Sequence, residues 1–133
     1  MTPQTIHPEG WAPALGYANG MLMPDGTLHV GGQIGWDKDK VFQTHDFVEQ
    51  LEQCLQNVVD IVRAAGGEPS HIGRLTWYVK NKDDYLARQR DVGAAYRRVM
   101  GKHFPAISML VVADLIEDDA QIEIEATAFI PQA

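Results

Sequence analysis

The stretch Gln121-Ile122-Glu123-Ile124-Glu125-Ala126-Thr127-Ala128-Phe129-Ile130 decides the fold. In an extended chain Ile122, Ile124, Ala126, Ala128 and Ile130 fall on one side, and Glu123, Glu125, Thr127 and Phe129 on the other. That period of two predicts a strand with one buried and one polar face. The stretch before it, Ile107–Leu115, reads differently. Ile107, Met109, Val111 and Ala113 are apolar on one side, and so are Leu110 and Val112 on the other. The acidic turn Glu117-Asp118-Asp119 joins these two strands.

Working upstream, Phe47, Leu51, Cys54, Leu55, Val58, Ile61, Val62 and Ala65 recur at three- and four-residue steps and predict a helix over Phe47–Ala65. Asp46 and Glu49 form a capping pair at its start, and Gly66-Gly67 stops it. Ile72–Lys80 reads as a strand, and Asp84–Met100 as a second helix opened by Asn81 and Asp84. Pro24-Asp25-Gly26 turns a strand at Tyr17–Met23 back onto one at Thr27–Ile34. In the latter, Leu28, Val30, Gly32 and Ile34 alternate with Thr27, His29, Gly31 and Gln33.

The expected order is ββαβαββ, an α+β sandwich with two helices on one face of a mixed sheet. Two helices cover only one face, and Ile107–Leu115 is apolar on both. An uncovered second face would present a large apolar patch to water, so a closed homo-oligomer packing sheet faces together is expected.

At 133 residues the chain is the size of one domain, spanning 1–133, with enough length to bury a core unaided. Eleven Lys and Arg against eighteen Asp and Glu leave a net charge of −7, a poor endowment for holding phosphates, so no nucleic-acid partner is expected. Trp11, Trp36 and Trp77 do not interleave with basic residues. No apolar run approaches the ~20 residues of a membrane span, so no membrane partner is expected. Residues 1–10 lack the basic and apolar regions of a signal peptide. With Cys54 as the lone cysteine, a reduced, cytoplasmic protein is expected.

His7, His29, His45, His71 and His103 show no metal-ligand spacing, so neither a metal nor another cofactor is expected. Cys54 lies on the apolar helix stripe and reads as a core thiol. Ser108 has no nucleophile-elbow context. By alternation alone Glu123 and Glu125 read equally as a solvated strand face. Gly31-Gly32 marks a place of close backbone approach, where exposed amides suit a carbonyl or carboxylate oxygen.

Three segments together resemble a known family over nearly the whole chain. They are Gly31-Gly32-Gln33-Ile34; the helical run Gln56-Asn57-Val58 to Ala64-Ala65-Gly66; and Phe104-Pro105-Ala106 followed by Ile122-Glu123-Ile124-Glu125-Ala126. The chain resembles the Rid group (YjgF-type, or L-PSP endoribonuclease-like), whose best-known members are enamine and imine deaminases. The resemblance implies a chorismate-mutase-like fold and a homotrimer with clefts between subunits. It makes Glu123 the carboxylate that positions water and Tyr17 the pocket tyrosine, the two catalytic candidates. Gly31, Gly32, Arg74, Gln89, Ile107 and Ser108 become the substrate-binding candidates. Gly31 stands where the family has Ser, Arg74 where Lys is common, and Gln89 where a helix-borne Asn lines the site.

The main departure is Ile107, which stands where the deaminating branch places an Arg that forks onto the substrate's carboxylate. An aliphatic side chain cannot make that bidentate, charge-assisted contact. The expectation is a cofactor-free, deaminase-type hydrolase with altered specificity. A non-catalytic ligand-binding or regulatory trimer is the alternative, and a ribonuclease comes third.

Overall fold

The computed structural model describes residues 2–132. Six strands form one sheet: β1 (Gln4–Ile6), β2 (Gly20–Leu22), β3 (Thr27–Ile34), β4 (Ile72–Val79), β5 (Ala106–Val111) and β6 (Ile122–Phe129). Their order across the sheet is β1-β2-β3-β6-β4-β5. All neighbours are antiparallel except β4 and β5. A parallel pair needs a long crossover, supplied here by helices α2 (Lys82–Ala87) and α3 (Gln89–Met100).

The remaining helix, α1 (Phe47–Ala64), packs with α3 over one face of the sheet. Its apolar stripe is buried from Phe47 to Val62. The Asp46 side chain caps it by accepting from the Glu49 backbone N–H at 3.0 Å. On the sheet side Leu28, Leu75, Ile122 and Ile124 are fully buried against that stripe. Each such side chain contributes about 1.5–3 kcal/mol relative to exposure. The architecture is α+β with a mixed sheet, in agreement with the fold class read from the sequence.

Several boundaries differ from the sequence reading. Short β1 was not foreseen. The strand expected at Tyr17–Met23 shrinks to Gly20–Leu22, and just before it Asn19 bonds to the bulged part of β3. Its carbonyl accepts from Gly31 N–H at 2.9 Å, and its side-chain oxygen from the Gln33 amide at 3.3 Å. The second helix starts at Lys82, earlier than Asp84, and divides at Arg88, whose backbone leaves the helical region (φ −128°, ψ 31°). There the Arg88 guanidinium pairs with both Asp46 and Asp91. β5 stops at Val111, short of Leu115.

The strict alternation expected along Thr27–Ile34 also fails. A register shift lies between Val30 and Gln33, so Gly31 and Gly32 both face out while Gln33 and Ile34 are both buried. An extra residue in one strand of an antiparallel pair produces this reversal.

The second sheet face carries no helix. In register across it lie Glu123 beside Tyr78, Glu125 beside Thr76, and Thr127 beside Arg74 and His29. Edge strand β5 is exposed at every residue, including Ile107, Met109, Leu110 and Val111.

Candidate functional site

Glu123 sits near the start of β6, between Ile34 of β3 and Tyr78 of β4. Its carboxylate occupies a notch made by Gly32. A Cβ added at Gly32 would stand 2.2 Å from Glu123 Oε2 and 2.7 Å from its carboxyl carbon. The β3 bulge turns Gly32 toward this face, so the missing side chain becomes a carboxylate seat. Burial pushes the Glu123 carboxyl above its ordinary range, and the charge of Glu125 on the same face adds to the shift. A carboxyl raised in this way is better able to give a proton as well as take one.

Glu125 accepts a hydrogen bond from the Tyr78 hydroxyl at 2.5 Å. That bond is the main reason the Tyr78 phenol is raised. It places the Glu125 carboxylate beside Glu123 as the acceptor of that bond. Neither Tyr78 nor Glu125 was singled out from the sequence as a site residue. The readable signal was the alternation Arg74, Thr76, Tyr78 on a strand whose other face is apolar.

Gly31 is tied through its N–H to Asn19, two residues after Tyr17. Tyr17 itself lies in a loop, half exposed, and not at a strand start. The Lys40 ammonium stands 5.4 Å from its ring centroid and 5.7 Å from that of Trp36, and donates to the Pro13 carbonyl at 2.7 Å. Lys40 therefore straps the Tyr17 loop to the segment after β3. A cation over an aromatic face contributes about 0.5–1 kcal/mol at exposed sites.

Arg74 is exposed on the Glu125–Thr127 side of the same face and makes no ion pair among the described residues. With His29, Thr76, Glu125 and Thr127 it lines a shallow concavity. Ser108 pairs in register with Thr76 and so belongs to this face.

Ile107 and Gln89 are elsewhere. Ile107 pairs with Leu75, whose side chain is fully buried under the helices, so Ile107 lies on the helix side of the sheet. It lines a groove of about 240 Å³ with Gln89, Gly93 and Arg97 of α3 and the rings of Trp77, Tyr96 and Phe104. Within one subunit the sheet separates this groove from Glu123. The expected grouping of Glu123, Tyr17, Gln89 and Ile107 therefore does not form in a single chain.

A larger concavity on the outer side of α1, lined by Gln43, Thr44, Glu49, Glu52, Gln53 and Gln56, is polar. Its groups are already engaged: Thr44 with Glu49, Gln53 with Asn57, Gln56 with Asp60, and Glu52 with Arg98. Among the described residues no three His, Cys, Asp or Glu side chains gather as metal ligands. Cys54 is fully buried and donates to the Ile122 carbonyl at 3.6 Å, and burial pushes its thiol well up. None of the helices is long and apolar enough to cross a membrane.

The fold and the sequence have counterparts among known proteins. The 2-iminobutanoate/2-iminopropanoate deaminase of Salmonella typhimurium is 35% identical over 129 residues, covering 94% of this chain and 96% of that protein. The crystal structure of the YjgF gene product of E. coli superposes with a TM-score of 0.79 at 34% identity, covering 95% of this chain and 98% of the other. The structure of E. coli TdcF with bound serine superposes with a TM-score of 0.80 at 26% identity, covering 96% and 99%. The model of the Endoribonuclease L-PSP family matches residues 9–130. Its span takes in the Gly31-Gly32 bulge, α1 and the Glu123 strand, and the chain belongs to this Rid/YjgF family.

Proposed function

We propose that this protein hydrolyses an enamine or imine, without a cofactor, in clefts between the subunits of a homotrimer. The observation that carries the reading is the Glu123 carboxyl, raised by burial and seated in the Gly32 notch. Deaminase-named relatives at about 35% identity support this reaction class. In the reaction, C=NH and water give C=O and ammonia. Glu123 in its acid form protonates the substrate. As a carboxylate it then takes a proton from the attacking water and returns it to the departing nitrogen, and it recovers its own proton from the carbinol hydroxyl as C=O forms and ammonia leaves. Tyr17, Gly31, Gly32, Arg74 and Ser108 would bind and orient the substrate around it.

Two features support assembly. Glu123 and the Gln89–Ile107 groove lie on opposite sides of one sheet, so a site using both needs a second copy. The exposed apolar residues of β5 give that copy something to cover. The protein is proposed to act as a single cytoplasmic domain.

Ile107 alters specificity. Without an Arg there, small amino-acid-derived imines such as 2-iminobutanoate are poor substrates. The test generates 2-iminobutanoate and a ring-bearing imine enzymatically and follows their loss with wild type and Glu123→Gln. Hydrolysis of the ring-bearing imine that Glu123→Gln abolishes is the expected result. No turnover of either would overturn it in favour of a non-catalytic binding trimer, the reading that Ile107 itself favours. Net charge −7 argues against the ribonuclease activity in the family's title.

A further inference from the structure

The helix-side groove is bordered by an exposed cation, Arg97, that makes no ion pair among the described residues. On α3, Arg88 is paired with Asp46 and Asp91, and Arg98 with Glu52. Arg97 lies between these pairs in sequence and makes no ion pair among the described residues. Its guanidinium folds back along the helix over Gly93, with Nη1 3.4 Å from where a Cβ would be. Gln89, Gly93 and Arg97 are spaced by four residues and form one stripe along the groove wall.

The opposite wall and floor are apolar and aromatic. Tyr96 stacks on Phe104 with ring centroids 5.4 Å apart, and Trp77 lies tilted against Tyr96 at 6.3 Å. The Tyr96 hydroxyl is spent on the His103 carbonyl at 2.6 Å, and burial raises its pKa to about 12, so it stays a neutral phenol. The Trp77 indole N–H is the one buried side-chain polar atom without a partner among the described residues. Buried donors normally find acceptors. Guanidinium and indole N–H groups only donate, and neither the Arg97 guanidinium nor the Trp77 indole has an acceptor among the described residues. At about 240 Å³ it is smaller than the roughly 300 Å³ and upward of drug-sized pockets, which suits a single ring.

We infer that this groove binds a single-ring aromatic carboxylate, with Arg97 on α3 anchoring the carboxylate that Ile107 on β5 cannot hold. The ring lies against Trp77, Tyr96, Phe104 and Ile107, and the Gln89 amide supplies a second contact at the anionic end. The groove's place in the reaction rests on the hydrolase reading above; its binding of such a ligand does not.

The experiment titrates the full-length protein with phenylpyruvate, using pyruvate (no ring) and phenylacetone (no carboxylate) as controls. Affinity is read by calorimetry, and the Trp77 indole N–H by ¹⁵N NMR. Phenylpyruvate is expected to bind at least about tenfold tighter than either control and to shift the Trp77 signal. Arg97→Gln should remove roughly that tenfold advantage while leaving phenylacetone unchanged, and Arg97→Lys should restore part of it. Equal affinity for pyruvate and phenylpyruvate, or an unchanged phenylpyruvate affinity in Arg97→Gln, overturns the inference. If phenylpyruvate binds as described but no imine turns over, the hydrolase reading fails and this one stands.

Discussion

The carboxylate of Glu123 occupies the space that a side chain at Gly32 would fill, with Oε2 2.2 Å from the position of the absent Cβ. The two residues come from different strands, β6 and β3, and meet because a bulge turns Gly32 out of the alternation. The site's principal acid is thereby held by an absence, and this makes Gly32 as consequential as the carboxylate itself.

Gly32→Ala is expected to displace Glu123 without unfolding the protein. The colliding atoms are the far end of a flexible side chain, so the stability cost should stay near or below about 1 kcal/mol. Any imine hydrolysis should fall by about a hundredfold, within the range for a misplaced general acid–base group. Thermal melts and turnover measured on the same sample check this. A large drop in melting temperature with unchanged turnover would contradict it.

Glu123 also makes the protein's stability depend on pH. Because burial raises its carboxyl, the folded chain holds a proton there that the unfolded chain releases. Between the ordinary carboxylate pKa and the raised one, folding takes up protons, and stability falls as pH rises through that window. Above the window the penalty is constant. Glu123→Gln removes it, so the variant should melt higher than wild type at pH 7–8. The difference should vanish near pH 4, where both states of the wild type become protonated. Melting temperatures across pH 4–8 give the answer.

Tyr78 and Glu125 adjust the same carboxyl from beside it. The Tyr78 hydroxyl donates to Glu125, and the charge of Glu125 adds to the upward shift of Glu123. Glu123 is also bounded by Gly32 and Ile34 on β3, while Arg74 and His29 lie farther along the face. Glu125→Gln should lower the Glu123 pKa by removing that neighbouring charge. Carbon-13 NMR of labelled glutamate reads that shift directly. The alkaline limb of the rate profile should move to lower pH with it.

How much of this was legible in the sequence depends on the range of each interaction. The α1 stripe and the two faces of β6 are local periodicities, and both were readable. The notch at Gly32 was not, because a bulge cancels the period-two rule across Gly31-Gly32 and moves Gly32 onto the opposite face. The break at Arg88 was equally hidden, since its partner Asp46 lies 42 residues away. Of the candidate residues, Glu123, Gly31, Gly32, Arg74 and Ser108 share the open sheet face. The Gln89–Ile107 groove falls on the other face, because the register between β4 and β5 decides its side and no single-strand pattern reports register.

Gln50 couples α1 to the strand that carries Glu123. Fully buried, it donates to the Thr44 and Asp119 carbonyls at 3.0 and 2.8 Å and accepts from the Gln121 N–H at 2.8 Å. Gln50→Leu keeps the bulk but leaves these backbone groups buried without partners. The expected cost is about 1–3 kcal/mol for each orphaned group that water cannot reach. The melting temperature should drop by several degrees, and hydrogen exchange should quicken at Gln121 ahead of the rest of β6.

Edge strand β5 offers the sharpest test of assembly. Leu110 and Val111 are about half exposed on opposite sides of a strand whose outer edge has no neighbour among the described residues. Such an edge invites another chain. From Ala106 to Ala113 it carries no charged residue. A carboxylate at position 110 would be solvated in a free subunit and desolvated without a partner in a packed interface, at a cost of several kcal/mol. Leu110→Glu should therefore convert the proposed trimer into folded subunits of 14.8 kDa. Circular dichroism should be retained, and activity lost together with the cleft. A wild type that already sediments as a monomer at micromolar concentration would remove the basis for an inter-subunit site. A Leu110→Glu variant that stays trimeric would move the interface off β5.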